Sequence, residues 1–217
     1  MVQFVSEFIG TALLLIVVTG SGIMGKSLAM GNAALALLGN SIATGCGLYV
    51  LISLLAPISG AHFNPMVSLL FWRTGALDVR TLYAYLCAQF SGAIVGVWVT
   101  HVMFGLPVLQ QSANARSGTG IVVSEFISTL ILLSVVYLGA QHTKDKPQGS
   151  DKMAMLVALT VTGGYWFTSS TFFANPAVTI ARSLSDTFVG VAPANVLGFI
   201  AAQIVAVFII ILIVRKP

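Results

Sequence analysis

Asn64-Pro65-Met66-Val67 recurs as Asn175-Pro176-Ala177-Val178, and this repeated stretch decides the fold. Ser6-Glu7-Phe8-Ile9 precedes the first copy, and Ser124-Glu125-Phe126-Ile127 precedes the second. Ala88-Gln89 and Ala202-Gln203 then follow the two copies in the same order. A duplication whose halves each carry an Asn-Pro break in apolar sequence predicts two discontinuous helices that meet near the middle of a membrane. We therefore expect a pore or a transporter.

The composition identifies the solvent of this protein as lipid. The chain has 217 residues, of which 57% are hydrophobic and only 7% are charged, and its mean hydropathy is +0.98. Soluble domains carry about 25% charged residues, so we expect an integral membrane protein. The ten Lys and Arg residues are scattered, which favours a role in membrane topology over nucleic-acid binding. No nucleic-acid partner and no cofactor are expected.

Uncharged runs predict six membrane spans and two half-helices. A span needs about 20 apolar residues, and the spans are expected at about 8–25, 33–55, 82–104, 126–143, 153–171 and 194–214. Proline is favoured in the first turn of a helix, and asparagine is a good N-cap. The two half-helices are therefore expected to begin at Pro65 and Pro176, followed by Met66 and Ala177.

The distribution of basic residues predicts the orientation in the membrane. Six spans place both termini on one side, together with Arg73, Arg80, Lys144, Lys146, Lys152, Arg215 and Lys216. Lys26, Arg116 and Arg182 fall on the other side. This excess predicts cytoplasmic termini in a multi-pass protein of the cell (plasma or inner) membrane. Each half has three spans, an odd number, so the second half enters the membrane upside down relative to the first. We therefore expect inverted repeats at about 1–110 and 118–217 of a single channel domain (1–217).

The stretches that precede the two asparagines are the expected chemical centre. Irregular backbone survives at membrane depth only inside protein or beside a wet cavity, so residues 60–64 and 171–175 are expected to line a pore with carbonyl acceptors. The N-termini of both half-helices would direct positive dipole ends at the centre. Asn64 and Asn175 can cap these helices through oxygen while their amide groups point into the lumen. Such donors would bind a passing oxygen atom and interrupt a proton wire.

These motifs resemble those of the aquaporin (major intrinsic protein) family over essentially the whole chain. The pairs Glu7/Thr11 and Glu125/Thr129 resemble the pattern that opens the two repeats of the family. The resemblance implies an all-α membrane fold of six transmembrane helices plus two re-entrant half-helices, assembled as a homotetramer in membrane lipid. It also implies that Glu7 and Glu125 support the loops through hydrogen bonds and that His62 bonds within its loop. Small residues such as Gly92 and Gly96 would allow close helix approach, between subunits or within one.

The resemblance also implies a constriction, at which this chain departs from most of the family. The arginine that usually follows the second Asn-Pro-Ala is replaced by Val178, and the other constriction positions fall at Thr44, Gly163 and Phe172. We expect a wide, weakly polar filter that passes glycerol and undissociated metalloid acids such as arsenite. Arg182 lies four residues beyond Val178. It either faces the pore one turn nearer the exit or is a snorkelling charge at the helix end.

The sequence favours a passive channel for water and small uncharged solutes over its alternatives. A strict water channel remains open. An ion-coupled secondary transporter needs ionisable residues at its central site, and none adjoins Asn64 or Asn175. A cation channel would need acidic residues at its mouth, for which Asp186 is the one candidate. An intramembrane enzyme would need a nucleophile with a base, or a metal cluster, and no such pattern occurs, so the protein is not expected to be an enzyme.

Overall fold

The computed structural model describes residues 1–143 and 149–214, which form eight helices and no strand. Six helices are long and two are short, so the predicted all-α architecture is confirmed. The predicted topology signals Lys144, Lys146, Arg215 and Lys216 lie outside the described residues. The helices are α1 (Val2–Leu28), α2 (Ala33–Ser59), α3 (Pro65–Arg73), α4 (Val79–Met103), α5 (Thr119–Thr143), α6 (Gly149–Phe167), α7 (Pro176–Ser183) and α8 (Pro193–Ile213).

The two short helices begin where the Asn-Pro pairs predict. α3 starts at Pro65, and the side-chain oxygen of Asn64 accepts a hydrogen bond from the Met66 amide at 2.9 Å. α7 starts at Pro176, and the Asn175 oxygen accepts from the Ala177 amide at 3.0 Å. Each asparagine satisfies a donor that the helix itself leaves unpaired.

The long helices extend beyond their apolar runs. α5 begins at Thr119 rather than near residue 126, and α4 begins at Val79, where Asp78 caps it by accepting from the amides of Arg80 and Thr81. A charged or polar residue does not by itself end a helix, so the limits of the uncharged runs underestimated these helices. Glu7 and Glu125 consequently lie inside helices rather than at their starts.

Two helices end differently from the prediction. α2 continues through Pro57, beyond its expected end near residue 55, and ends where Gly60 adopts a left-handed conformation with φ 84°. Glycine enters that conformation without steric cost and commonly terminates helices. α6 covers residues 149–167 instead of 153–171, because residues 168–175 form the irregular backbone that leads to α7.

Five of the long helices in the described part of the chain are long and apolar enough to cross a membrane: α1, α2, α4, α8 and residues Thr119–His142 of α5. The sixth, α6, has 19 residues and carries Asp151 and Lys152 in its first turns. The protein is therefore a multi-pass membrane protein in which α6 is the least apolar of the long helices.

The helix contacts follow the internal duplication. α1 packs against α2 and α4, and α5 packs correspondingly against α6 and α8. α3 also contacts α8, and α7 contacts α4, so each half-helix lies against the last helix of the other repeat. This exchange brings the two Asn-Pro motifs together at the centre of one chain.

Glycines set the close approach of α1 and α4. A Cβ atom on Gly92 would lie 2.4 Å from the carbonyl oxygen of Phe8, and one on Gly96 would lie 2.3 Å from that of Ala12. Both distances are too short for any side chain. These glycines, which could have served contacts between subunits, therefore serve packing within one subunit.

Candidate pore and its constriction

The two asparagines form a reciprocal clasp at the centre of the molecule. Nδ2 of Asn64 donates to the carbonyl oxygen of Ala174 at 2.7 Å, and Nδ2 of Asn175 donates to that of Phe63 at 2.8 Å. Each amide group carries two hydrogens, so one of them holds the opposite loop and the second remains. The asparagines thus lock the loops together and still offer donors to the cavity that both line.

The loops before the asparagines share an unusual backbone. Left-handed φ values occur four, three and one residues before each asparagine. Non-glycine residues in this region cost roughly 1–2 kcal/mol each, so the matched geometry needs support from surrounding contacts. The residues are Gly60 (84°), Ala61 (49°) and Phe63 (48°) in the first loop, and Thr171 (60°), Phe172 (57°) and Ala174 (47°) in the second.

Glu7 provides that support for the first loop. One carboxylate oxygen accepts from the His62 amide at 2.9 Å and from Ser59 Oγ at 2.7 Å. The other accepts from the Phe63 amide and from Gln89 Nε2, both at 2.8 Å. Four donors on one fully buried carboxylate satisfy the requirement that a buried acid be hydrogen-bonded.

Glu125 supports the second loop with fewer bonds. Its Oε1 accepts from the Ala174 amide at 2.6 Å, while its Oε2 has no hydrogen-bond partner in the described part of the chain. Gln203, the counterpart of Gln89, donates to Thr179 Oγ1 at 3.0 Å. The duplicated sequence predicts equal roles for the two acids, whereas the hydrogen bonds around them are unequal.

His62 bonds to the half-helix rather than within its loop. Its Nδ1 lies 3.0 Å from Ser68 Oγ on α3. The ring also stacks on Phe71, with ring centroids 4.8 Å apart, and meets Tyr85 edge-on at 5.3 Å. The imidazole is therefore held on three sides at one end of the cavity that it lines.

A cavity that, together with the open space at its openings, measures about 900 Å³ is lined by the two asparagines. One wall carries the irregular backbone, where the carbonyl oxygens of residues 60–62 and 171–173 accept no hydrogen bond from any described residue. The other walls are mostly apolar. The apolar lining residues are Leu14, Val18, Leu48, Ile52, Val67, Phe71, Leu132, Val136, Met153, Val157 and Val161.

Three of the four predicted constriction residues line this cavity: Thr44, Phe172 and Val178. Gly163 does not, and this assignment is corrected by Tyr165, whose hydroxyl lies 3.2 Å from Thr44 Oγ1. α6 presents residues 157, 161 and 165 to the cavity. Gly163 is two residues from the nearest of these, which places it roughly 200° around the helix.

Comparisons with known proteins agree with this geometry. The family model described as Major intrinsic protein matches residues 1–171. Aquaglyceroporin AqpS of Rhizobium meliloti (strain 1021) is 44% identical over 200 residues, covering 92% of this chain and 83% of the relative. The chain belongs to the major intrinsic protein family.

Further relatives support the assignment. The glycerol uptake facilitator protein of Pseudomonas aeruginosa is 35% identical over 102 residues, which cover 47% of this chain and 36% of that protein. The crystal structure of the aquaglyceroporin from Plasmodium falciparum superposes with a TM-score of 0.75 at 22% identity, covering 97% of this chain and 93% of that one. As a major intrinsic protein, the chain is a membrane channel and not an enzyme.

Arg182 occupies a position that the sequence left open. It is only 2% exposed and lines the cavity, so it is not a snorkelling charge at a helix end. Its Nε donates to the carbonyl oxygen of Val189, and its Cζ lies 3.4 Å from the ring centroid of Phe173.

Tyr165 is a polar lining residue that sequence reasoning missed, whereas Phe173 falls in a stretch that was expected to line the pore through its backbone. Phe173 also contacts Phe199, with ring centroids 4.9 Å apart, and so fixes the wall beside Arg182. The four-residue spacing of Val157, Val161 and Tyr165 is the signal that could have identified Tyr165, because residues at this spacing share one face of a helix.

Proposed function

We propose that this chain is a passive channel for water and small uncharged solutes, glycerol among them, with a single-file pore in one channel domain. The observation that supports the proposal is the cavity itself, which is lined by both Asn64 and Asn175. Its described lining includes no acidic residue. A neutral molecule can therefore exchange its hydrogen bonds with the pore without meeting a negatively charged side chain of this lining.

The two kinds of wall suit a solute with two kinds of surface. Free carbonyl oxygens on one side accept from hydroxyl groups, while the asparagine amides donate to their oxygen atoms. The opposite side, which includes Leu48 and Val157, contacts carbon atoms. A water molecule at the centre that accepts from both asparagines must donate away from the centre in both directions, which interrupts a proton wire.

Selectivity is expected to depend on the constriction formed by Thr44, Tyr165, Phe172 and Val178. Val178 offers a short apolar surface, and the paired hydroxyls of Thr44 and Tyr165 offer one polar contact. The names of two relatives, an aquaglyceroporin and a glycerol uptake facilitator, favour a pore wider than a strict water channel. Undissociated metalloid acids such as arsenite belong to the same proposal, since they are small neutral molecules bearing hydroxyl groups.

Stopped-flow light scattering on proteoliposomes tests the proposal. Vesicles with the protein should shrink and reswell under gradients of glycerol and arsenite faster than empty vesicles, in addition to passing water. Water flux without glycerol flux would establish the strict water channel instead. Glycerol uptake that collapses when an ion or proton gradient is dissipated would establish a secondary transporter.

We further propose that the channel is a homotetramer in the cell membrane, with a separate pore in each subunit and both termini in the cytoplasm. The family membership and the exposed apolar side chains of the long helices, such as Leu197 at 78% and Leu212 at 84% exposed, support burial against lipid or other subunits. A mass of four subunits by light scattering in mild detergent is the expected result. A transport-competent single subunit would contradict it.

A further inference from the structure

We infer that Arg182 is the charge-selecting residue of this pore and excludes small cations while neutral solutes pass. The inference rests on the proposed channel function. Val178 removes the charge expected at the constriction, and Arg182 follows on the same half-helix, four residues and about 6 Å farther along the axis.

The guanidinium group of Arg182 is anchored at its base and free at its tip. Nε donates to the carbonyl oxygen of Val189, and the face of Phe173 covers the group from one side. The two terminal nitrogens have no acceptor among residues 1–143 and 149–214. Because the side chain is buried and lines the cavity, the space left for these nitrogens is the lumen.

Arg116 provides the contrast, because each of its three side-chain nitrogens donates a hydrogen bond to the protein. Its Nε donates to the carbonyl oxygen of Gly190 at 2.9 Å, and its terminal nitrogens donate to Thr171 Oγ1 at 3.4 Å and to the carbonyl oxygen of Phe188 at 3.3 Å. Its Cζ lies 5.5 Å from the ring centroid of Phe173. Arg116 therefore holds the loops at the mouth together through hydrogen bonds. Arg182 contacts the same aromatic ring, but its terminal N–H donors are not bonded to the described residues.

No acidic side chain in the described chain neutralises Arg182 by an ion pair. Oε1 of Glu125 bonds to the Ala174 amide. Asp186, the acid at this mouth, accepts through Oδ1 from the Ala113 amide at 2.8 Å. A positive charge that forms no ion pair, beside a narrow, weakly polar lumen, repels cations more strongly than it would in bulk water. The residue that selects by charge is thus separated by one helical turn from Val178, which sets the width.

The experiment compares a neutral solute with a cation of the same shape. Urea and guanidinium are planar and nearly isosteric, so the ratio of their permeabilities in proteoliposomes reports charge rather than size. The variants are Arg182→Gln, which removes the charge, and Arg182→Lys, which keeps it. Lys26→Gln is the matched control, because Lys26 is exposed near the end of α1, and α1 reaches this mouth where Gly22 packs against Val189.

The wild type should pass urea and exclude guanidinium. Arg182→Gln should raise the guanidinium-to-urea ratio at least about tenfold, whereas Arg182→Lys and Lys26→Gln should keep the wild-type ratio. An Arg182→Gln channel that passes urea but keeps the wild-type guanidinium-to-urea permeability ratio would overturn the inference. If that variant does not fold, Arg182→Lys decides, because a lysine channel that passes urea and also admits guanidinium would overturn it equally. A wild type that passes no neutral solute would instead refute the channel function.

Discussion

Val178 is the residue on which we expect the width of the proposed constriction to depend most. Its side chain is 6% exposed and lines the cavity, as do Thr44 and Tyr165. An arginine in its place would add a long, always charged group with five donors to the constriction. We therefore expect the size of the side chain at this position to set the width of the pore there.

Val178→Arg should lower glycerol permeability about tenfold or more relative to water permeability, because the added group obstructs the larger solute. Stopped-flow measurements of both solutes on the same vesicles give the ratio. Val178→Met, which adds length without charge, is the control. Thr44→Phe should lower the ratio of glycerol to water permeability by bulk alone. An unchanged ratio in Val178→Arg would place the constriction elsewhere.

The unequal bonding of the two buried acids predicts unequal effects of the same substitution. Glu7→Gln replaces a carboxylate that accepts four hydrogen bonds by an amide whose NH2 group would face other donors. It should therefore lower the free energy of unfolding by on the order of 3 kcal/mol. Glu125→Gln should cost about 1 kcal/mol or less, because one oxygen of Glu125 is unpartnered in the described chain and an amide can take that place. Unfolding in mixed micelles of increasing SDS content measures both. Equal losses would show that the acids act equally.

At the level of single residues, the sequence predicts the centre of the site better than its walls. Asn64 and Asn175 follow from the duplication, because a helix break in apolar sequence must be stabilised wherever it occurs. Tyr165 requires knowledge of the rotational phase of α6, which counting back from Asn175 does not provide. The burial of Arg182 depends on Val189 and Phe173, whose positions follow from the loop after α7 and not from any local pattern.

The pairing of α1 with α4 shows how closely the elements are packed. Gly92 and Gly96 bring the two backbones into direct contact, and α5 and α8 form the corresponding pair of the second repeat. Glu7 and Gln89, which support the first loop together, belong to these two helices. The spacing of α1 and α4 thus determines where the loop acceptors lie.

Gly92→Ala should destabilise the protein by about 1–3 kcal/mol, because the new methyl group would meet the carbonyl oxygen of Phe8 at 2.4 Å and force the helices apart. Gly39→Ala is the matched control, since Gly39 lies in α2 and a Cβ there meets no atom within 4 Å. That change should be neutral or stabilise by roughly 0.5–1 kcal/mol. Thermal unfolding of the two variants in the same detergent separates a steric effect from helix propensity. A similar change in both would refute the packing argument.

The sequence predicts where the half-helices start better than it predicts the limits of the long helices. Pro65 and Pro176 begin their helices where expected, because proline and its asparagine cap define a start chemically. The start of α5 at Thr119 was missed by about seven residues, because the uncharged run was ended at Glu125, which is buried inside the helix. The hydrophobic run predicts the part of a helix inside the membrane and not the whole helix.

At the scale of the whole molecule, the inverted repeats account for both the pore and its asymmetry. Each half-helix packs against the last helix of the other repeat, so neither repeat alone can enclose the clasp of Asn64 and Asn175. The duplication predicts this arrangement, and the structural neighbour supports the fold. The two ends nevertheless differ, with His62 at one and Arg182 at the other, and these differences are what the chain can use for selection.

A pair of tryptophan substitutions in α2 tests most directly whether solutes cross through the cavity of each subunit. Leu48 lines the cavity and is 7% exposed, whereas Leu54 lies on the same helix and is 67% exposed. Leu48→Trp should abolish most of the water and glycerol flux by filling the lumen, and Leu54→Trp should leave both near the wild-type values. Both proteins should show the same elution volume in detergent as evidence of folding. A folded Leu48→Trp channel that conducts as well as Leu54→Trp would contradict the account, because the path of the solute would then lie outside this cavity.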